Sequence, residues 1–251
     1  MAQLQFASGD TITWTEKYGT GAGGALTISA DTTEAPVDSA CTGTTGTTSL
    51  TATNASFATN QIIFIHQTQG TGVGNWQLNV ISSYTAGTIT TKYALTNTYA
   101  TGAQVRVVNQ NANITIDSTK TLTAKAWNGT VGGLLVLLSN GTTTVTGTIT
   151  AAGKGFRGGT AVSGATNAGG KQGEGKANGT YDGQDTSANS VGGGGGGQWV
   201  SGDHAAGGGG GGHTAAGSNG QGGAGSTAGT GGLIGSDAVA LTTTHFGGGG
   251  A

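Results

Sequence analysis

Residues 113–150 read NITIDSTKTLTAKAWNGTVGGLLVLLSNGTTTVTGTIT, and the spacing of their short apolar and Thr-rich clusters decides the fold. The clusters fall at 114–116, 121–126, 134–138, 142–145 and 148–150, separated by Asn, Asp, Ser or Gly. Short runs of β-branched residues bounded by turn formers build strands and leave no room for a helix. Strands this short and this close suit the coils of a β-helix, in which each rung stacks on its predecessor and an inner row of Leu and Val is buried by the next. A small sandwich or barrel made of hairpins meets the same pattern, so the two architectures stand side by side here. The apolar run 133–138, GLLVLL, is too short to span a bilayer and has the length of a buried strand.

Upstream, Thr, Val, Ile and aromatic residues recur in similar runs, predicting strands over 10–15, 25–30, 61–67, 76–84, 87–91 and 103–108. QGTGVG, 69–74, is turn-like and joins two of them, and Val80 and Ile81 with Tyr84 place one face of the following strand against a core. The run 61–66, QIIFIH, supplies apolar area to offset ordering entropy, which argues against disorder in this half.

Composition narrows the function classes. Charged residues make up only 8% of the 251, with nine basic against eleven acidic side chains scattered along the chain. A groove that tracks phosphates needs clustered Lys and Arg, so a nucleic-acid partner is not expected. Cys41 is the single cysteine, which excludes an intrachain disulfide and a multi-cysteine metal site. The start, MAQLQFASGDTITW, has neither a basic segment nor a continuous apolar stretch, so neither a secretory signal nor membrane insertion is expected.

Catalytic and metal chemistry finds little support. Gly170, Gly175 and Lys176 are spaced as in a phosphate-binding loop, but Ala177 stands where a Mg²⁺-binding hydroxyl belongs, and no strand–loop–helix context surrounds them. His66, His204, His213 and His245 show no ligand spacing, and His66 within its apolar run reads as a hydrogen-bonded core histidine. Asp182 and Asp185 lack the repeated carboxylate pattern of a Ca²⁺ site. No carboxylate is expected in an apolar setting that would raise its pKa, so the chain reads as non-enzymatic and without a cofactor.

Glycine divides the chain. Of 54 glycines, 37 lie after residue 150. Uninterrupted runs extend from Gly192 to Gly197, from Gly207 to Gly212 and from Gly247 to Gly250, with a split run over 222–232, and three of these begin at the regular positions 192, 207 and 222. Gly-rich chains ordinarily behave as flexible linkers. Here the separators carry Trp199, Val200, His204, His213, Leu233, Ile234 and Phe246, apolar or aromatic groups that a solvated linker does not need. Polyproline-II-like strands of glycine have no internal hydrogen bonds and no Cβ to hold them apart, so neighbours can pair on all sides. The pattern therefore predicts an all-β region, β-sandwich or β-helix-like, over 1–110 and a short β-helix-like stem over 111–158. A polyglycine-II helix bundle follows over 159–251.

The stretch GGGGGGQWVSGDHAAGGGGGGHTAAGSNGQGGAGSTAGTGG resembles the glycine-rich region of the tip adhesins of long tail fibres in T-even-like bacteriophages, over roughly residues 190–251. The segment 103–159 looks like the β-rich stem that precedes such regions in phage and bacterial surface proteins, whereas the segment 1–110 matches no fibre-docking motif. The resemblance implies a virion or cell-surface protein, fibre-associated or homo-oligomeric, binding a cell-surface receptor, a glycan or an outer-membrane protein, through loops between the glycine runs. Trp199, His204 and His213 are then the receptor-binding candidates, because Trp stacks on sugar faces at small entropic cost. The competing expectation is a self-assembling extracellular filament or surface-layer subunit, binding copies of itself through exposed backbone edges.

Overall fold

The computed structural model describes residues 19–156, 199–200, 204–205, 218–219 and 221. Every regular element among them is a strand. The two architectures left open by the sequence are both present, in different residues: a parallel stem and a closed antiparallel barrel.

The stem consists of three rungs. Strand β1 (Leu26–Ile28) pairs in parallel with β10 (Ile114–Ile116), which pairs in parallel with β13 (Thr143–Val145). On a second side β2 (Thr32–Thr33), β11 (Thr121–Thr123) and β14 (Thr148–Thr150) stack in the same order, and on a third β9 (Gln110–Asn111) pairs with β12 (Leu138–Ser139). Alternation sends one residue in two inward. Ile28, Ile114, Ile116 and Leu122 form the buried interior, with Leu26, Leu135 and Leu137 packed against it. One coil of nearly constant length separates the second rung from the third, carrying Gln110 to Leu138, Ile114 to Thr143 and Thr121 to Thr148. First-rung partners lie much further off in sequence, Leu26 against Ile114 and Thr32 against Leu122, because the barrel is threaded between them. The stem therefore takes its first rung from residues that precede the barrel in the chain.

The barrel closes in the order β3 (Asp38–Gly43), β4 (Ser49–Ala52), β7 (Thr88–Thr91), β6 (Trp76–Thr85), β5 (Ile62–Gln67), β8 (Tyr99–Val108). Closure leaves no open edge among these six strands. Ile63, Ile65, Ile81, Ile89, Leu50 and Val105 fill the inside, joined by Leu95 from the connection between β7 and β8. That connection is held over the barrel by amide side chains: Gln77 Nε2 donates to Ala94 O at 3.1 Å, Asn79 Nδ2 donates to Tyr93 O at 2.9 Å, and Gln77 Oε1 accepts from Thr96 N at 3.0 Å. The expected shared face of Val80, Ile81 and Tyr84 is divided. Ile81 and Tyr84 belong to the barrel interior and Val80 lies outside it, as alternation requires of adjacent residues.

Barrel and stem meet along one apolar seam. Ile62, Phe64, Trp76, Leu78 and Val108 on the outer face of the barrel pack on Leu134, Val136, Leu138 and Phe156 of the stem. The run 134–138 is apolar throughout because it is covered twice, with Leu135 and Leu137 turned into the rungs and the alternate residues toward the barrel. Only its last residue joins a ladder, as the start of β12.

Close approach of the rungs fixes certain glycines. A Cβ on Gly147 would collide with the carbonyl oxygens of Asp117 and Lys120 in the rung beneath, backbone atoms that cannot swing aside. Gly147→Ala is therefore expected to cost about 1–3 kcal/mol, as other overpacking changes do, read as a lower midpoint in urea unfolding at unchanged slope. An unaltered midpoint would show that the rungs have more room than this.

Candidate recognition surface

The sequence-predicted site residues fall on the glycine-rich half. Trp199–Val200 (β15) and His204–Ala205 (β16) pair antiparallel, with Trp199 opposite Ala205 and Val200 opposite His204. Ser201, Gly202 and Asp203, between them in sequence, lie outside the described residues. The pairing places Trp199 and His204 on adjacent strands. His213 lies outside the described residues, as do Gly192, Gly197, Gly207, Gly212, Gly247 and Gly250 and with them the polyglycine-II arrangement.

On the barrel, the ends of β3, β4 and β8 frame a depression of about 350 Å³ lined by Thr42, Thr44, Thr47, Ser49, Thr51 and Thr98, with Gly43 and Tyr99. The hydroxyls of Thr42 and Thr51 face each other at 2.8 Å, and Thr47 Oγ1 donates to Thr44 O at 2.8 Å. No charged side chain lines it, so its chemistry suits neutral polyhydroxyl or amide groups and gives no hold on phosphate or carboxylate. Sequence reading missed this feature because its threonines are indistinguishable from the solvent face of ordinary strands.

One expectation about charge is corrected. Glu34 is buried to 16% exposure, and burial raises its carboxyl pKa while the neighbouring Arg106 pulls it back down. Arg106 is 1% exposed, pairs with Glu34 and donates through NH1 to Leu134 O. Beside it Lys125 Nζ reaches both oxygens of Asp38, at 2.7 and 2.8 Å. These groups sit where the chain passes from the first rung into β3, next to Pro36, the single proline. Each carboxylate is held by its own cation at the junction of barrel and stem. That arrangement is a latch between barrel and stem.

His66, Gln104 and Cys41 are part of the packing. His66 is buried, its Nδ1 2.9 Å from Thr68 Oγ1, in keeping with a core histidine. Gln104 clamps the stem from the barrel, with Oε1 accepting from Gly132 N at 2.9 Å and Nε2 donating to Gly132 O at 3.2 Å and Thr68 Oγ1 at 2.8 Å. No group of three or more metal-binding side chains occurs among the described residues, and no helix among them is long and apolar enough to cross a membrane. Cys41 is enclosed in the barrel, and burial pushes its thiol pKa far up. In native protein at pH 8 it is expected to react with a disulfide reagent only through global opening, at least about a thousandfold slower than in urea. Fast labelling without unfolding would show that the barrel breathes locally.

No protein-family model matches the chain, and no curated protein matches it. Among solved structures it is similar to the Gp54 tailspike of Acinetobacter baumannii bacteriophage AP22, determined in complex with A. baumannii capsular saccharide. The identity is 12% and the TM-score 0.26, over 49% of this chain and 23% of the tailspike. The match thus spans less than a quarter of the tailspike's length.

Proposed function

We propose that this chain is a non-enzymatic, surface-exposed adhesive protein of the kind found at the tips of phage tail fibres. It binds a host-cell surface receptor, a glycan or an outer-membrane protein, through loops of its glycine-rich half. The observation that carries this reading is the antiparallel pairing of Trp199–Val200 with His204–Ala205, which brings an aromatic and an imidazole residue onto paired strands that lie between two glycine runs in the sequence. A rigid mount supports the same reading. The barrel is tied to the stem by a short link on each side, by an apolar seam and by two ion pairs, so a head attached to it keeps its orientation.

The test is binding of the purified full chain to a glycan array and to a panel of whole bacterial cells. Replacing Trp199 and His213 together by Ala is expected to lower binding at least about thirtyfold while leaving the unfolding midpoint in place, since an aromatic anchor carries about 2 kcal/mol or more. Binding that survives the double replacement dismisses these loops.

The self-assembling filament subunit is favoured by a different observation. The outer edges of β13 and β14 carry no partner strand among the described residues. Electron microscopy separates the two, with long regular fibres supporting the subunit and discrete particles supporting the adhesive tip.

A further inference from the structure

The depression beside β3, β4 and β8 has fixed walls. The β3–β4 connection, 44–48, is bound to the segment that leads into β8: Gly46 N donates to Leu95 O at 2.8 Å, Leu95 N donates to Thr47 O at 2.7 Å, and Thr45 N donates to Thr98 Oγ1 at 3.2 Å. Gly46 turns that connection with a φ of 78°, a conformation that glycine adopts without strain. Thr42 and Thr51 are partners across β3 and β4, and Thr51 Oγ1 accepts from Thr42 N at 2.8 Å while it faces Thr42 Oγ1. Close by, the register of β3 against β8 shifts between Cys41 and Gly43, which leaves Gly43 opposite Tyr99.

The lining is chemically uniform. Six of its eight residues are Thr or Ser. A hydroxyl both donates and accepts. Thr44 Oγ1 and Ser49 Oγ have no hydrogen-bond partner among the described residues, and Thr98 Oγ1, which accepts from Thr45 N, keeps its proton to give. A carboxylate or phosphate only accepts and finds no cation here, and a metal ion finds no carboxylate. An extended peptide pairs with an open strand edge, which the closed barrel does not offer. A sugar ring carries neighbouring hydroxyls that each donate and accept, the complement of this lining. The volume of about 350 Å³ falls at the small end of ligand pockets and holds roughly one or two sugar rings.

We propose that this depression is a binding subsite for a neutral oligosaccharide, separate from the loops of the glycine-rich half. Recognition runs through hydroxyls alone. Tyr99 is 1% exposed and presents no ring face, so no stacking adds to hydrogen bonds that exchange with water, and the affinity for a free oligosaccharide is on the order of millimolar. Such a site is useful on a polymer. A glycan held elsewhere on the same chain reaches it at an effective concentration that is itself on the order of millimolar. The subsite does not depend on the adhesive reading, since it is built wholly from barrel residues.

The test is an NMR titration of the isotope-labelled full chain with maltotetraose, with chitotetraose and, as the charged comparison, with a hyaluronan tetrasaccharide. Amides of Thr42, Thr44, Ser49 and Thr98 are expected to shift and saturate with a neutral sugar at roughly 1–10 mM and to stay in place with hyaluronan. Thr44→Val with Ser49→Ala removes two hydroxyls that hold nothing else in the described fold. It is expected to weaken binding about tenfold at an unchanged midpoint of urea unfolding. Four results overturn the proposal. No saturating shift with either neutral sugar up to about 50 mM leaves the depression without this ligand. Shifts confined to the glycine-rich half support its loops as the receptor site and dismiss the barrel. Equal binding of the hyaluronan tetrasaccharide, or undiminished binding by the double variant, shows that the hydroxyl lining does not select the ligand. Larger shifts of these amides with tetraalanine than with either sugar assign the depression to a peptide.

Discussion

Arg106→Met lowers the stability of the folded chain by about 3–5 kcal/mol, the largest loss expected from any single change of charge in this protein. The guanidinium has 1% exposure at the point where barrel, first rung and second rung meet. It neutralises Glu34 on the first rung and caps the carbonyl of Leu134 on the second. Methionine fills most of the volume but leaves a buried carboxylate without its cation and a carbonyl without its donor. Changing Glu34 to Leu in the same chain removes the stranded charge. The double variant should then recover most of the loss, with about 1 kcal/mol remaining for the Leu134 carbonyl. The pH dependence has a definite sign. Burial, partly offset by Arg106, holds the Glu34 carboxyl above 4.5. A carboxyl raised on folding contributes stability that is complete below its unfolded pKa and is lost as pH rises through the folded value. Removing Arg106 takes away the main downward influence, so the penalty of Arg106→Met is greater at pH 8 than at pH 5. Urea unfolding at the two pH values measures both effects. A single-variant loss below about 1 kcal/mol would mean that water reaches the pair and that the latch is a surface contact.

The sequence revealed some elements of this junction and concealed others for physical reasons. Strands β5, β6 and β8 were legible because their Ile, Val and aromatic residues are dense enough to dominate any window. So were β10, β11, β13 and β14, where Thr alternates with apolar residues between turn residues, whereas the two-residue strands β9 and β12 are too short to carry such a pattern. Strands β3 and β4, DSACTG and SLTA, were not anticipated, because their outward residues are small or polar, Ala40 and Thr42 in one and Ser49 and Thr51 in the other, while the inward residues include Ser39, Cys41 and Ala52. The insertion of the barrel was hidden too. The first rung pairs far along the chain, Leu26 with Ile114 and Thr32 with Leu122, and no local pattern announces a parallel partner at that distance. Glu34 was overlooked as a buried carboxylate because its immediate neighbours, Thr33, Ala35 and Pro36, do not form an apolar run. Its environment is made by burial and by Arg106 on β8, the strand paired with β3. On the glycine-rich half, the described strands Trp199–Val200 and His204–Ala205 pair in a defined register, and the rest of that separator lies outside the described residues.

Leu134→Asp is expected to separate the two halves of the described fold, and the reason lies in how apolar surface is distributed. The barrel interior is a cluster of its own, centred on Ile63, Ile65, Ile81, Ile89 and Val105, and it contains no residue of the stem. The stem interior is smaller and depends on the run 134–138 for one side, through Leu135 and Leu137. Leu134 is 1% exposed in the seam against Ile62, Phe64 and Trp76. Truncating such a leucine costs about 2–5 kcal/mol, and a carboxylate there adds the cost of an unpaired buried charge. The seam cannot close around it, so the run is drawn off the barrel and the rungs lose their third wall. Loss of structure should stop there, because the closed ladder of β3 to β8 keeps its own hydrogen bonds and its own core. Hydrogen exchange resolves this directly. Amides of Ile63, Ile65 and Val105 should remain protected in Leu134→Asp, while those of Ile114, Ile116 and Leu122 should exchange at least about a hundredfold faster than in the parent chain. Equal acceleration in both groups would show that barrel and stem fold as one inseparable unit. No acceleration in either would show that the seam contributes little to the stem.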